Sequence, residues 1–173
     1  MGSLRYLVHT RPGLTFVVGY VSWFMQQPTM EHEQAVKRIL RYVADTSDYG
    51  LYYPTCPSVE QFIGYSDSDL VGDIDTSKST SGTLFFLGKC LISWQSVKKQ
   101  VVALSSCEAG YIAATTASTQ ALWLARLLGD LLGRDVEVVE LRVNSKSTLA
   151  LVKNLVFHER NKHFRIKHQE LLG

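Results

Sequence analysis

Between Ser105 and Gly133 the sequence holds one long amphipathic stretch, and strand-like segments stand on both sides of it. Ala113, Ala117, Ala121, Leu124, Leu128 and Leu131 fall on one face at helical spacing, and Gly133 is suited to end the helix. Upstream, Gln61 to Tyr65 reads as a strand, with aromatic and β-branched residues. Thr83 to Leu87 and Cys90 to Trp94 read as two more, joined by Gly88-Lys89, a loop with glycine first that suits a type II′ hairpin turn. Downstream, Val138 to Val143 is a strand and Ser145 to Val152 a short helix. The remaining tail is basic and mostly polar. The order strand, hairpin, helix, strand, helix predicts an α/β fold, a mixed sheet with at least one helical crossover.

The first part of the chain reads differently. Val17, Tyr20, Val21 and Phe24 recur at helical spacing, and Pro28 closes that segment. Thr29 is placed to cap a second helix, whose buried stripe is expected to be Ala35, Val36, Ile39, Leu40 and Val43, with Lys37, Arg38 and Arg41 turned away. A loop and a short Leu51-Tyr52-Tyr53 strand follow. Pro54 and Pro57 punctuate a boundary, so the chain divides into a helical extension, 1–57, and a larger domain, 58–173.

Composition narrows the class. With 46% hydrophobic and 20% charged residues over 173 positions, a packed core is expected rather than disorder. The net charge of +2 is too small to mark a nucleic-acid binder by itself. Cys56, Cys90 and Cys107 are odd in number and widely spaced, which fits a reducing compartment better than a disulfide framework or a zinc site. No apolar run approaches the roughly 20 residues that span a bilayer, and Arg5, His9 and Arg11 interrupt any signal-peptide pattern. An intracellular protein, cytoplasmic or nuclear and without a membrane partner, is expected.

Asp67, Asp69, Asp73 and Asp75 crowd just past the first strand. An EF-hand loop starting at Asp67 would need an oxygen ligand where Val71 stands and a glutamate where Lys78 stands, so that chemistry is excluded. Asp67-Ser68-Asp69-Leu70-Val71 has the pattern of a haloacid-dehalogenase phosphatase, but the hairpin that follows contradicts the parallel crossover that fold requires. A two-metal nuclease site needs several carboxylates converging on one place around ions about 4 Å apart, with Asp67 as the first. A solvated acidic loop is the plain alternative, and the cluster alone leaves both open.

The wider pattern resembles a known family. Gly64-Tyr65-Ser66-Asp67-Ser68-Asp69, Gly72-Asp73, Lys78-Ser79-Thr80-Ser81-Gly82, Phe85-Phe86-Leu87-Gly88, Ile92-Ser93-Trp94, Ala103-Leu104-Ser105-Ser106 with Glu108-Ala109, and Val156-Phe157-His158-Glu159-Arg160 together resemble the ribonuclease H region of copia-type retroelements, especially those of plants. Gly2-Ser3-Leu4, Thr10-Arg11-Pro12 and the Ala35–Tyr42 run look like the stretch that joins the reverse transcriptase to that nuclease. The resemblance covers nearly the whole chain. It implies a ribonuclease-H-like mixed sheet flanked by helices, with 1–57 as a reverse-transcriptase connection remnant and 58–173 as the nuclease-like domain. It also implies an ancestral activity, Mg²⁺- or Mn²⁺-dependent hydrolysis of the RNA strand of RNA–DNA hybrids.

Four acidic positions carry that activity in the family. Asp67 matches the first and Glu108 the second, as catalytic and metal-binding residues. The third falls at Asn144 and the fourth at Arg165. Leu70 stands for a family tryptophan, Gly110 for a glutamate and Lys146 for a glutamine. Local readings stand beside these. Ser105-Ser106-Cys107-Glu108 is a capping box, which would retain the glutamate without chemistry, and Asn144 is a natural N-cap for the next helix. Two dications about 4 Å apart repel by about 4 kcal/mol even at the dielectric of water. Four carboxylates would balance them; Asp67 and Glu108 supply half that charge, and Arg165 adds the wrong sign. Cleavage is therefore expected to be lost or severely reduced.

Binding can outlive cleavage. Lys98, Lys99, Lys146, Arg160 and Lys162 are the expected phosphate contacts to an RNA–DNA hybrid or other nucleic acid, although the basic tail also reads as a solvated end. The alternative is a domesticated host protein that acts through protein or nucleic-acid binding, with Phe16, Trp23 and Phe24 as an exposed apolar surface. Both ends look cut from a longer polyprotein, as a short reading frame or a fragment.

Overall fold

The computed structural model describes residues 1–54, 61–70, 72, 77–133, 139–155 and 164–168. The chain forms two compact units, Met1–Pro54 with Gln95–Val97, and Thr55–Trp94 with Lys98–Gly173.

The first unit is helical: α1 (Gly2–Leu7), a 3₁₀ turn (Pro12–Leu14), α2 (Thr15–Ser22) and α3 (Met30–Asp45). Its core is Leu4, Leu14, Val18, Val21 and Ile39. Thr29 caps α3 as expected, in extended conformation, and the reciprocal bond comes from His32, whose Nδ1 accepts from the Thr29 N–H at 3.0 Å. Glu33 pairs with Lys37 one turn later, 2.7 Å apart. Three expectations fail here. α2 ends at Ser22, short of Phe24, where the Ser22 hydroxyl turns back onto the Val18 carbonyl. Leu40 is half exposed, because it lies one helical step beyond the Val36–Ile39–Val43 stripe. Leu51–Tyr53 forms no strand, and Tyr52 is open to solvent.

The second unit carries a five-stranded mixed sheet. Its strands are β1 (Phe62–Ser68), β2 (Thr80–Leu87), β3 (Cys90–Lys98), β4 (Val139–Val143) and β5 (Phe164–His168), in the order β3-β2-β1-β4-β5. β1 pairs antiparallel with β2 and parallel with β4, and β5 adds parallel to β4. The helices are α4 (Ser106–Leu132) and α5 (Lys146–Leu155). Gly88 adopts φ +58 while Lys89 stays at negative φ, the type II′ pattern.

α4 crosses from β3 to β4 and packs against β1. It starts at Ser105, whose hydroxyl accepts from Glu108 N–H, and stops at Gly133 in the left-handed conformation, φ +63. Ala113, Ala117, Ala121 and Leu124 are buried on its inner face. Ala117, Ala121 and Leu124 meet Phe62, Phe85 and Leu141. Gly64 permits this packing: a β-carbon there would lie 2.6 Å from Phe85 Cε1 and 3.0 Å from Leu141 Cδ1. Leu131 is exposed, because α4 outruns its buried stretch by nearly two turns. β5 lies in the basic, mostly polar tail, to which the residue pattern assigned no element.

Candidate functional site

Strand register places the candidate residues. The last parallel rows pair Ser66 with Val143 and Val143 with His168. Asp67 lies one residue past Ser66 and Asn144 one residue past Val143. β4 ends at Val143, so Asn144 stands just beyond that strand, at the same end of the sheet as Asp67. On β2, Asp67 faces Gly82. Phe62, Gly64 and Ser66 are buried on the α4 side, so Asp67 follows Ile63 and Tyr65 to the other face and is exposed. Its Oδ1 accepts from the Ser68 N–H at 2.8 Å.

Glu108 stands in the first turn of α4, where its Oε2 accepts from the Leu104 N–H at 2.7 Å. Its own N–H donates to Ser105 Oγ at 3.1 Å. The sequence left cap and catalyst open at this position; both bonds satisfy N–H groups at the start of α4, as a cap does. Asn144 does not cap α5. Ser145 takes that place, its hydroxyl accepting from Thr148 N–H at 3.3 Å. A serine one position closer to the helix has the same capping chemistry.

Arg165 is not brought to this end of the sheet. Its backbone pairs with Glu140, the row that also holds Ile63. That is four rows from Asp67, about 13 Å along the strands. Among the described residues no three His, Cys, Asp or Glu side chains come together where an ion could be held. One exposed aspartate, one glutamate engaged in a cap and one neutral asparagine do not fit a pair of dications.

Asp69 ties the loop to the start of β2. Its Oδ1 accepts from the Thr80 N–H at 2.5 Å, and its own N–H donates to the Thr80 carbonyl at 3.1 Å. Asp73 and Asp75 lie outside the described residues, as do Arg160, Lys162, His158 and His163. Of the expected phosphate contacts, Lys146 is exposed at the start of α5, and Lys98 is half-buried at the end of β3. Lys99 is half-buried: its Nζ donates to Thr116 Oγ1 on α4 at 3.0 Å, and burial pulls its pKa below the usual lysine value.

One cluster escaped the sequence reading. On the Asp67 face, Glu140 accepts from Arg142 Nε at 2.7 Å and pairs with Lys167 Nζ at 2.9 Å. Arg142 also reaches the Tyr65 hydroxyl at 3.0 Å and lies over its ring. The Lys167 hydrogen bond, followed by Arg142, holds the Glu140 carboxyl below its usual pKa. Only the register, Tyr65 beside Arg142 beside Lys167, brings these residues together.

No family model matches the sequence. It is 41% identical over 169 residues to the retrovirus-related Pol polyprotein from transposon TNT 1-94 of Nicotiana tabacum. That match takes in 97% of this chain, which spans only 12% of the polyprotein. It is 45% identical over 125 residues to secreted RxLR effector protein 161 of Plasmopara viticola, covering 72% of this chain and 87% of that protein. Among solved structures, a foamy viral protease–reverse transcriptase in complex with dsDNA aligns with TM-score 0.55 at 11% identity, over 85% of this chain and 30% of that one. The motifs, the five-stranded mixed sheet and these relatives agree, and the chain belongs to the copia-type retrovirus-related Pol family, with a ribonuclease-H-like fold.

Proposed function

We propose that this chain is a nucleic-acid-binding, ribonuclease-H-like module in which hybrid cleavage is lost or severely reduced. The observation that supports this reading is the residue that follows β4 at the Asp67 end of the sheet: Asn144, a side chain of carboxylate shape without the charge, one residue past the last paired row, Ser66–Val143. Asp67 and Glu108 bring two negative charges against the four positive charges of two dications, and the Glu108 carboxylate already bonds the Leu104 N–H. Repulsion between the ions, about 4 kcal/mol at the dielectric of water, grows in a less polar cleft. Binding does not need those ions. The foamy viral structure of related fold holds dsDNA, and Lys146 stands exposed at the same end of the sheet as Asp67 and Asn144.

A labelled RNA–DNA hybrid incubated with the protein and Mg²⁺ or Mn²⁺ tests the reading. Turnover is expected to equal that of Asp67→Asn. Turnover that Asp67→Asn abolishes would sink it. Retained binding should weaken steeply with salt, as phosphate contacts do.

A second reading is favoured by one observation: the effector relative, a secreted protein, is covered over 87% of its length by this chain. That coverage supports a domesticated role through a host protein. A stoichiometric protein partner in a pull-down from native extract supports that role, and nucleic acid alone supports the first reading.

A further inference from the structure

The core between the sheet and α4 changes character along its length. At one end it is apolar, with Phe62, Phe85, Leu141 and Leu124. Toward the end that bears Asp67, the sheet turns hydroxyl-lined. Ser81 and Thr83 lie on the buried face of β2, Ser79 is buried just before that strand begins, and Ser66 joins them from β1. These four residues are 1–5% exposed. α4 answers with methyl groups: the residues it buries in its first three turns are Ala109, Ala113 and Ala114. The helix's own hydroxyls do not help, since Thr115, Thr116, Ser118 and Thr119 each bond the carbonyl one turn back.

Two rows of the β1–β2 ladder that share the buried face, with the Asp67–Gly82 row between them, behave differently. In the outer row, Ser68 faces Ser81, their hydroxyls approach to 3.5 Å, and Ser68 Oγ also donates to the carbonyls of Asp69 and Thr80. In the inner row, Ser66 faces Thr83. Both oxygens are fully buried, and neither reaches a protein partner among the described residues. Directly opposed residues in an antiparallel pair hold their β-carbons about 5 Å apart. A buried hydroxyl left without any partner is costly, and two that face one another without a protein partner suit a bridging water.

We infer that the Ser66–Thr83 row binds an internal water molecule, hydrogen-bonded to both hydroxyls beneath the N-terminal half of α4. The ligand class follows from the lining. Two neutral hydroxyls, each able to donate or accept, suit a small neutral molecule that does both. Methyl groups on the helix side offer nothing to an ion. The water lies one row behind Asp67, so the core at the candidate site is hydrated rather than dry.

Water-selective nuclear Overhauser spectroscopy on the full chain, paired with thermal unfolding of Ser66→Ala, Thr83→Val and the double variant, tests this. A bridging water gives long-lived cross-peaks to the Ser66 and Thr83 amides or side chains, and both single variants lose them. Each single variant then lowers Tm by about 2–4 °C, and the double variant loses less than the sum, because one water is removed only once. Dry, unpartnered hydroxyls predict the reverse. No long-lived water signal at either residue, or a higher Tm on replacing Thr83 by its isostere valine, overturns the inference. Both readouts use conservative variants that leave the backbone ladder intact.

Discussion

Gly110 on α4 sits so close to Thr148 on α5 that a β-carbon on the glycine would overlap the threonine hydroxyl. Thr148 is buried, and α4 and α5 approach through this contact. A glycine inside a helix ordinarily costs about 1 kcal/mol relative to alanine. Here the missing methyl is what lets the helices meet, and overpacking costs about 1–3 kcal/mol. Gly110→Ala is therefore expected to destabilise by about 1 kcal/mol net. In a Thr148→Ala background the same change should stabilise by a similar amount. Urea unfolding of the four proteins measures this. Stabilisation in both backgrounds would show that the contact yields freely.

Asp69 and Thr80 exchange two hydrogen bonds, one through the aspartate side chain and one through the backbone. This closes the loop between β1 and β2, and Gly72 tucks under the same carboxylate. Asp69→Ala should cost about 1.5–3 kcal/mol, the range for a hydrogen bond to a charged group. Asp69→Asn, which keeps an acceptor oxygen, should cost less. Amide exchange at Thr80 should quicken in Asp69→Ala. An unchanged Thr80 amide would mean that the ladder alone holds the loop.

What could be read from the sequence was local, and what could not was long-range. Thr29, Ser105, Gly133 and Gly88 act within a few residues of themselves, through a cap or a positive φ, so their roles were legible. β1 was expected to stop at Tyr65 because Ser66, Asp67 and Ser68 are poor strand formers. Pairing with Ser81, Gly82 and Thr83 carries it three residues further. β5 was missed for the same reason: Phe164–His168 becomes a strand through its parallel partner β4. The site divided likewise. That Asp67 and Asn144 lie at one end of the sheet follows from parallel strands, since one stands near the end of β1 and the other just past β4. The row of Arg165 depends on register between distant segments, and no spacing in the sequence reports it. The Glu140 cluster is a matter of register too.

Glu140 supplies a pH-dependent prediction. Its carboxyl is held below the usual value first by Lys167 and then by Arg142. A lowered folded-state pKa adds stability that is present above the unfolded value, near 4.5, and is lost as pH falls through the folded value. Lys167 is more than half exposed, so solvent screens the pair, and the contribution should be about 1 kcal/mol or less. Glu140→Gln should remove that much at pH 7 and flatten the fall in stability on acidification below the unfolded pKa. Chemical unfolding of both proteins across the acidic range checks it. Parallel curves for the two would show that the ion pairs contribute nothing.

Glu108 separates capping from metal binding. As a cap, its carboxylate needs only to accept from Leu104 N–H, and glutamine can do the same. Glu108→Gln should then stay within about 0.5 kcal/mol of the parent, whereas Ser105→Ala, which removes the opposite bond, should cost about 1 kcal/mol. A metal ligand behaves otherwise. An ion that binds the folded state alone raises Tm in proportion to the logarithm of its concentration. Millimolar Mg²⁺ or Mn²⁺ is expected to leave the Tm of the parent and of Glu108→Gln unchanged. A rise in the parent that Glu108→Gln abolishes would make Glu108 a ligand after all. The loss of charge at Asn144 would then have been compensated, and the cleavage assay would have to be repeated with the ion that produced the shift.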